Sequence, residues 1–167
     1  MISEKRTDVI YQAQISYKGI CERPDLNKYL EAERSSNHSN GHSYSPGNDM
    51  KRMWQDEMAF QLQKQLKITF EVPVWIHYRI YEPNRRKDRD NVSATAMKYL
   101  QDTLVEMGVL RGDGAKHVIG FDHLHYIDKD HPRIEVLIET LSEQEVKDIE
   151  TPGMIQMERV YVKKANA

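Results

Sequence analysis

Val9, Tyr11, Ala13 and Ile15 alternate with Ile10, Gln12, Gln14 and Ser16, a period of two that predicts a first strand. Residues 34–49, RSSNHSNGHSYSPGND, are almost free of apolar side chains and are rich in turn formers, so a long loop is expected there. Met50, Trp54, Met58, Leu62 and Leu66 then recur at every fourth position, which predicts a helix with one apolar stripe, capped by Asn48 or Asp49. Val74, Ile76, Tyr78 and Ile80 alternate with Trp75, His77, Arg79 and Tyr81, a second strand that Pro83-Asn84 ends.

A second helix is expected from Asp90–Asn91 to about Met107. Val92, Ala96, Tyr99, Thr103, Leu104 and Met107 form its inner face, and Gly108 stops it. RGDGAK (111–116) reads as a glycine-flanked turn. Residues 117–127 and 133–139 read as two strands with His131-Pro132 near the turn between them, and Ile134, Val136 and Ile138 share one face. Beyond Leu141 a short acidic helix and an edge strand at 155–162 are expected. The order predicts an α+β fold: a small mixed β-sheet with two helices packed against it over residues 1–140, and a C-terminal extension over 141–167.

Composition narrows the setting. No stretch approaches the ~20 apolar residues of a membrane span, and the first residues lack the apolar core of a signal peptide. The one cysteine, Cys21, excludes a disulfide framework or a thiolate zinc site within one chain and reads as a packing residue. A reducing, cytoplasmic location is expected. The formal net charge of −2 argues against a protein that coats nucleic acid indiscriminately. The charge is polarised, however. The window 79–98 carries a net +3, and the window 139–150 a net −4.

The basic window also holds Asp88 and Asp90, two residues apart at a strand-to-helix junction. That spacing aims two carboxylates at one point near the positive end of a helix dipole. Such a pair repels itself unless protonated or bridged by a cation, and Mg²⁺ is the hard ion that takes one or two carboxylates and several waters. Arg85, Arg86, Lys87 and Arg89 would then face phosphates. The plain alternative is a solvated turn that neutralises itself. Asn91, Lys98 and Asp102 share one helix face. Asn91 reads as a cap, and Lys98 reads either as an ion pair with Asp102 or as a group that stabilises charge on a phosphate. Asp113 lies between Gly112 and Gly114, in a turn that permits close backbone approach.

Taken together, the segments PNRRKDRDN, Lys98 to Asp102, and MGVLRGDGAKHV resemble the RusA family of Holliday-junction resolvases. Pro24 to Tyr29 is similar to a further family segment. The resemblance covers residues 9–139 and is strongest over 83–118. It implies that Asp88, Asp90 and Asp113 are metal-binding aspartates, that Lys98 is the catalytic lysine, and that the basic turn contacts DNA, with Asn27, Lys28 and Lys116 as further contacts. It also implies a homodimer that uses Mg²⁺ or Mn²⁺ to nick branched DNA symmetrically across a four-way junction, and a prophage setting. Two departures stand out. Lys98 stands eight residues after Asp90, where the short form of the family has four, and Gly112 stands where the family often has a second aspartate. The latter motivates the alternative of a branched-DNA-binding module with little or no nuclease activity. A hydrolase acting on nucleotides is a third reading.

Other polar and aromatic residues point to structure. His38 and His42 read as solvated loop residues. His123 and His125 share a strand face with Phe121 and Ile127 but lack an evident third zinc ligand. His117 either touches phosphate or closes the turn, and Trp54 and Trp75 read as packing.

Overall fold

The computed structural model describes residues 10–17, 26–34 and 46–151. The strand expected at 155–162, Cys21, His38 and His42 lie outside them. Strands and helices follow in the order β1 (Ile10–Ser16), α1 (Leu26–Arg34), α2 (Pro46–Leu62), β2 (Val74–Glu82), α3 (Arg89–Glu106), β3 (Val118–Ile127), β4 (Arg133–Thr140) and α4 (Glu143–Glu150). The fold is α+β, with a mixed sheet in the order β1-β4-β2-β3.

The period-two pattern explains the layering. Ile76, Tyr78 and Ile80 of β2, Ile134, Val136 and Ile138 of β4, and Ala13 and Ile15 of β1 turn to one face and are all buried. Trp54, Met58 and Leu62 of α2 and Ala96, Leu100 and Leu104 of α3 meet most of that face in one continuous core. Gly108 lies just beyond the end of α3 with φ of +73°, a left-handed conformation that glycine adopts without strain.

Several expectations need correction. Helix α2 begins at Pro46, a residue suited to the first helical position, so residues 46–49 of the expected loop are helical and Asn48 and Asp49 lie inside the first turn rather than at a cap. Four helices occur among the described residues: the two long ones expected, the short acidic one expected beyond Leu141, which is α4, and α1, which was not expected. α1 escaped notice because its apolar positions are few; it packs through Tyr29 against Tyr99 of α3. Strands β3 and β4 are consecutive but do not pair. β4 lies between β1 and β2, while β3 runs parallel to β2 at the edge. The connection between them crosses the end of β2, where Asp128 N–H donates to the Glu82 carbonyl at 2.8 Å.

The two sheet edges differ. Along β1, the Gln61 and Gln65 side chains stand in for a neighbouring strand. Gln61 accepts from Ser16 N–H at 2.8 Å and donates to the Ser16 carbonyl, and Gln65 does the same with Gln14. Changing both glutamines to alanine is expected to destabilise the fold by about 1–3 kcal/mol, because backbone groups lose their partners. Urea denaturation measures this, and an unchanged midpoint would show that water replaces the amides without loss.

Candidate functional site

The loop 83–88 links the carboxyl end of β2 to the start of α3, and within it the Asn84 side chain accepts from Arg86 N–H at 3.0 Å to form a tight turn. Asp88 is the N-cap residue of α3, with extended backbone, but its side chain makes no capping bond. Asp90 lies in the first turn, and Asn91 lies inside the helix rather than at the cap. Asp88 and Asp90 are exposed, and neither carboxylate has a hydrogen-bond or ion-pair partner among the described residues. Arg85, Arg86 and Arg89 have no carboxylate partner there either. The side chains of Arg85, Arg86, Asp88, Arg89 and Asp90 therefore do not neutralise one another, although opposite charges alternate along the turn.

A second cluster forms lower on α3. Lys98 Nζ lies 2.6 Å from Asp102 Oδ1 and 3.7 Å from Asp113 Oδ2, and Lys51 Nζ of α2 lies 2.7 Å from Asp102 Oδ2. The hydrogen bond that Lys98 donates to Asp102 chiefly raises the Lys98 pKa, with Asp113 adding to it, so the ammonium is held charged. For Asp102, partial burial pushes the carboxyl up, but Lys51 and Lys98 together outweigh it and hold the group below the usual carboxylate range. The expected ion pair is thus present, and Asp113 joins it from the turn.

That turn is closed by backbone bonds from His117 and Val118 N–H to the Gly114 carbonyl. The His117 ring packs over Gly112, where an added Cβ would come within 2.9 Å of ring Cδ2. A side chain at 112, an aspartate included, therefore requires His117 to move. Lys116 is exposed in the same turn. Asn27 and Lys28 lie on α1.

The three aspartates form two groups. Lys98 is eight residues along α3 from Asp90, about 12 Å of helix rise. No three His, Cys, Asp or Glu side chains among the described residues are gathered as a metal-holding group. The donor chemistry still suits a hard cation, since Asp88 and Asp90 are exposed oxygen donors and Mg²⁺ keeps several of its waters.

Sequence reasoning missed His125 as part of this region. On β3 it lies beside the carboxyl end of β2, and both ring nitrogens are buried without a hydrogen-bond partner. Burial, then His123 and Arg89, lower its pKa, so it is held neutral. Its ring meets His123 edge-on at 5.5 Å. Trp54 is buried as expected, whereas Trp75 lies on the opposite sheet face and donates to Asp122 at 2.9 Å. Asp122 also faces His77 Nδ1 at 2.8 Å, and Glu139 lies 3.1 Å from His77 Nε2.

Changing Lys98 to Met is expected to raise the Asp102 titration, with Lys51 still holding part of the shift. Because a depressed carboxyl contributes stability above its unfolded pKa, the stability it supplies should be lost at higher pH in the variant as acid is added. Carboxyl NMR titration checks the direction, and an unmoved Asp102 would remove Lys98 as a cause. No protein-family model matches the chain, and no curated protein matches it.

Proposed function

We propose that this chain is a Mg²⁺-dependent, structure-selective DNA endonuclease that resolves four-way junctions by paired symmetric nicks, as its resemblance to the RusA family implies. The observation that carries the reading is the unneutralised turn. Asp88 and Asp90 stand free at the start of α3 beside Arg85, Arg86 and Arg89, which have no carboxylate of their own. Charges of both signs left open to solvent suit a cation and a polyanion better than a self-contained turn.

Asp88 and Asp90, with Asp113, would hold Mg²⁺ or Mn²⁺. When bound, the ion supplies a water of lowered pKa and neutralises charge on the phosphodiester. The basic turn and Lys116 position the DNA backbone by phosphate contacts, which set register rather than sequence. Lys98, held cationic by Asp102, stabilises negative charge that develops on the phosphate.

Paired cuts need two such sites, which a second copy of the chain supplies. Support comes from the sheet edges: β1 is covered by glutamine amides, while β3 leaves its outer edge open with Phe121 and Leu124 half-exposed. A ten-residue apolar edge strand invites pairing. No helix of the described residues is long and apolar enough to cross a membrane, which agrees with a cytoplasmic site of action. One observation favours the second reading, a binding module without cleavage: Asp113 is engaged by Lys98, away from Asp88 and Asp90.

A labelled four-way junction, a linear duplex and a nucleotide, each with Mg²⁺, Mn²⁺ or EDTA, separate the readings. The nuclease cuts the junction alone and only with metal. Changing Asp90 to Asn should lower cutting roughly a hundredfold or more while leaving junction binding intact. Junction binding without any metal-dependent product would select the binding module instead. For the dimer, Phe121→Lys with Leu124→Lys should shift the sedimenting species from two copies to one. A wild-type chain that sediments as a monomer on the junction would count against paired cutting.

A further inference from the structure

A cavity of about 180 Å³ opens where the carboxyl ends of β2 and β3 meet the loop before α3. Arg85, Lys87 and Arg89 line it together with His125 and the buried Glu82. Its walls are mainly apolar despite these charges. The volume is roughly tenfold the ~10–15 Å³ that a single water needs. His125 contributes two enclosed ring nitrogens that no described residue satisfies. A buried polar group without a partner is destabilising, and a ligand that completes it removes that cost.

We propose that this cavity receives one unstacked nucleobase of the bound DNA, with His125 bonding to its edge and Arg85, Lys87 and Arg89 holding the flanking phosphates. The proposal rests on the reading of the chain as a DNA-binding protein. A neutral imidazole offers one donor and one acceptor, the pairing that base edges present. Phosphate oxygens at neutral pH are chiefly acceptors, and three permanent cations already serve them. Tyr126 points to the opposite sheet face, where its ring stacks on Tyr81 at 4.8 Å and Arg133 covers Tyr81 at 3.6 Å. That packing braces the strand wall of the cavity from behind before any ligand arrives. Proteins that recognise unpaired bases use a hydrogen-bonding edge and cations for the backbone, and the cavity offers both. Bases at a branch point are the least firmly stacked and the least costly to extrude. His125 is thereby a specificity-determining residue, distinct from the carboxylates and Lys98.

The test uses the full chain and imidazole NMR signals, with His125 assigned by its loss in His125→Ala. Deoxynucleoside monophosphates, deoxyribose 5-phosphate and inorganic phosphate are added at equal concentration and ionic strength. The expected result is that only the base-bearing compounds move the His125 signals. Equal movement with inorganic phosphate would make the cavity a plain anion site, and no movement with any compound would leave it without a ligand; either overturns the proposal. Four-way junctions with one abasic position each then follow. Removal of one base near the branch should weaken binding about tenfold in the wild type and in His125→Gln, which keeps a donor and an acceptor, but not in His125→Ala. A junction bound and cut with equal affinity at every abasic position overturns the base pocket and leaves the nuclease reading intact. His125 signals that respond to nucleotides in a chain that binds no junction would have the opposite effect.

Discussion

The parallel pairing of β2 with β3 is the constraint on which the rest of the molecule depends. Two parallel neighbours cannot be joined by a tight turn, so the chain must travel back along the sheet, and α3 is that return path. The consequence is geometric. The start of α3, the carboxyl end of β2 and the carboxyl end of β3 all fall at one end of the sheet. There the helix dipole is positive, and both strands release loops, the arrangement in which α/β sheets bind ligands. Asp88, Asp90, the basic turn and His125 are neighbours for this reason, although the chain separates Asp88 from His125 by the whole of α3.

This explains which features were legible in the sequence. The strands at 10–16, 74–82 and 133–140 and the two long helices show plainly because each buries one face, and a buried face imposes a period. Asp88, Asp90, Lys98 and Asp113 were legible as chemical types within short motifs. The strand order was not. Residues 117–127 and 133–139 read as two strands with a turn between them, but nothing local shows that β4 inserts between β1 and β2, where both its faces are buried and a central place satisfies both. β3, with most of its residues partly or fully exposed, is left at the edge. His125 could not be found from its own strand. Its significance comes from β2 and the loop before α3, to which local periodicity is blind. The early start of α2 was missed because turn-forming residues make up its first turn, and α1 because it is short with few apolar positions.

The charges on α3 divide by their partners. Lys98, Asp102, Lys51 and Asp113 satisfy one another across two helices and a turn, a contact geometry that fixes where the 111–117 turn sits. Exposed pairs of this kind add little stability, so their value lies in orientation. Gly112 belongs to the same device, because its missing side chain lets the His117 ring close over the turn that presents Asp113. Glycine at 112 is thus explained by packing: it leaves a turn held from beneath by histidine.

At the other end of α3 the charges are left open, and the fold can sustain this because the loop 83–88 has independent support. Asn84 holds its turn, Asp128 N–H ties the crossing connection to Glu82, and Arg133 clamps that connection by reaching the Asp128 carboxylate at 2.8 Å while stacking on Tyr81. None of these contacts uses the side chain of Arg85, Arg86, Arg89, Asp88 or Asp90. A loop held by backbone and neighbouring residues can keep its own charged side chains unpaired, in position and open to solvent. Had those side chains been the glue, binding a polyanion there would require breaking the structure that presents them. The separation of support from contact is the physical condition for a rigid, highly charged recognition surface.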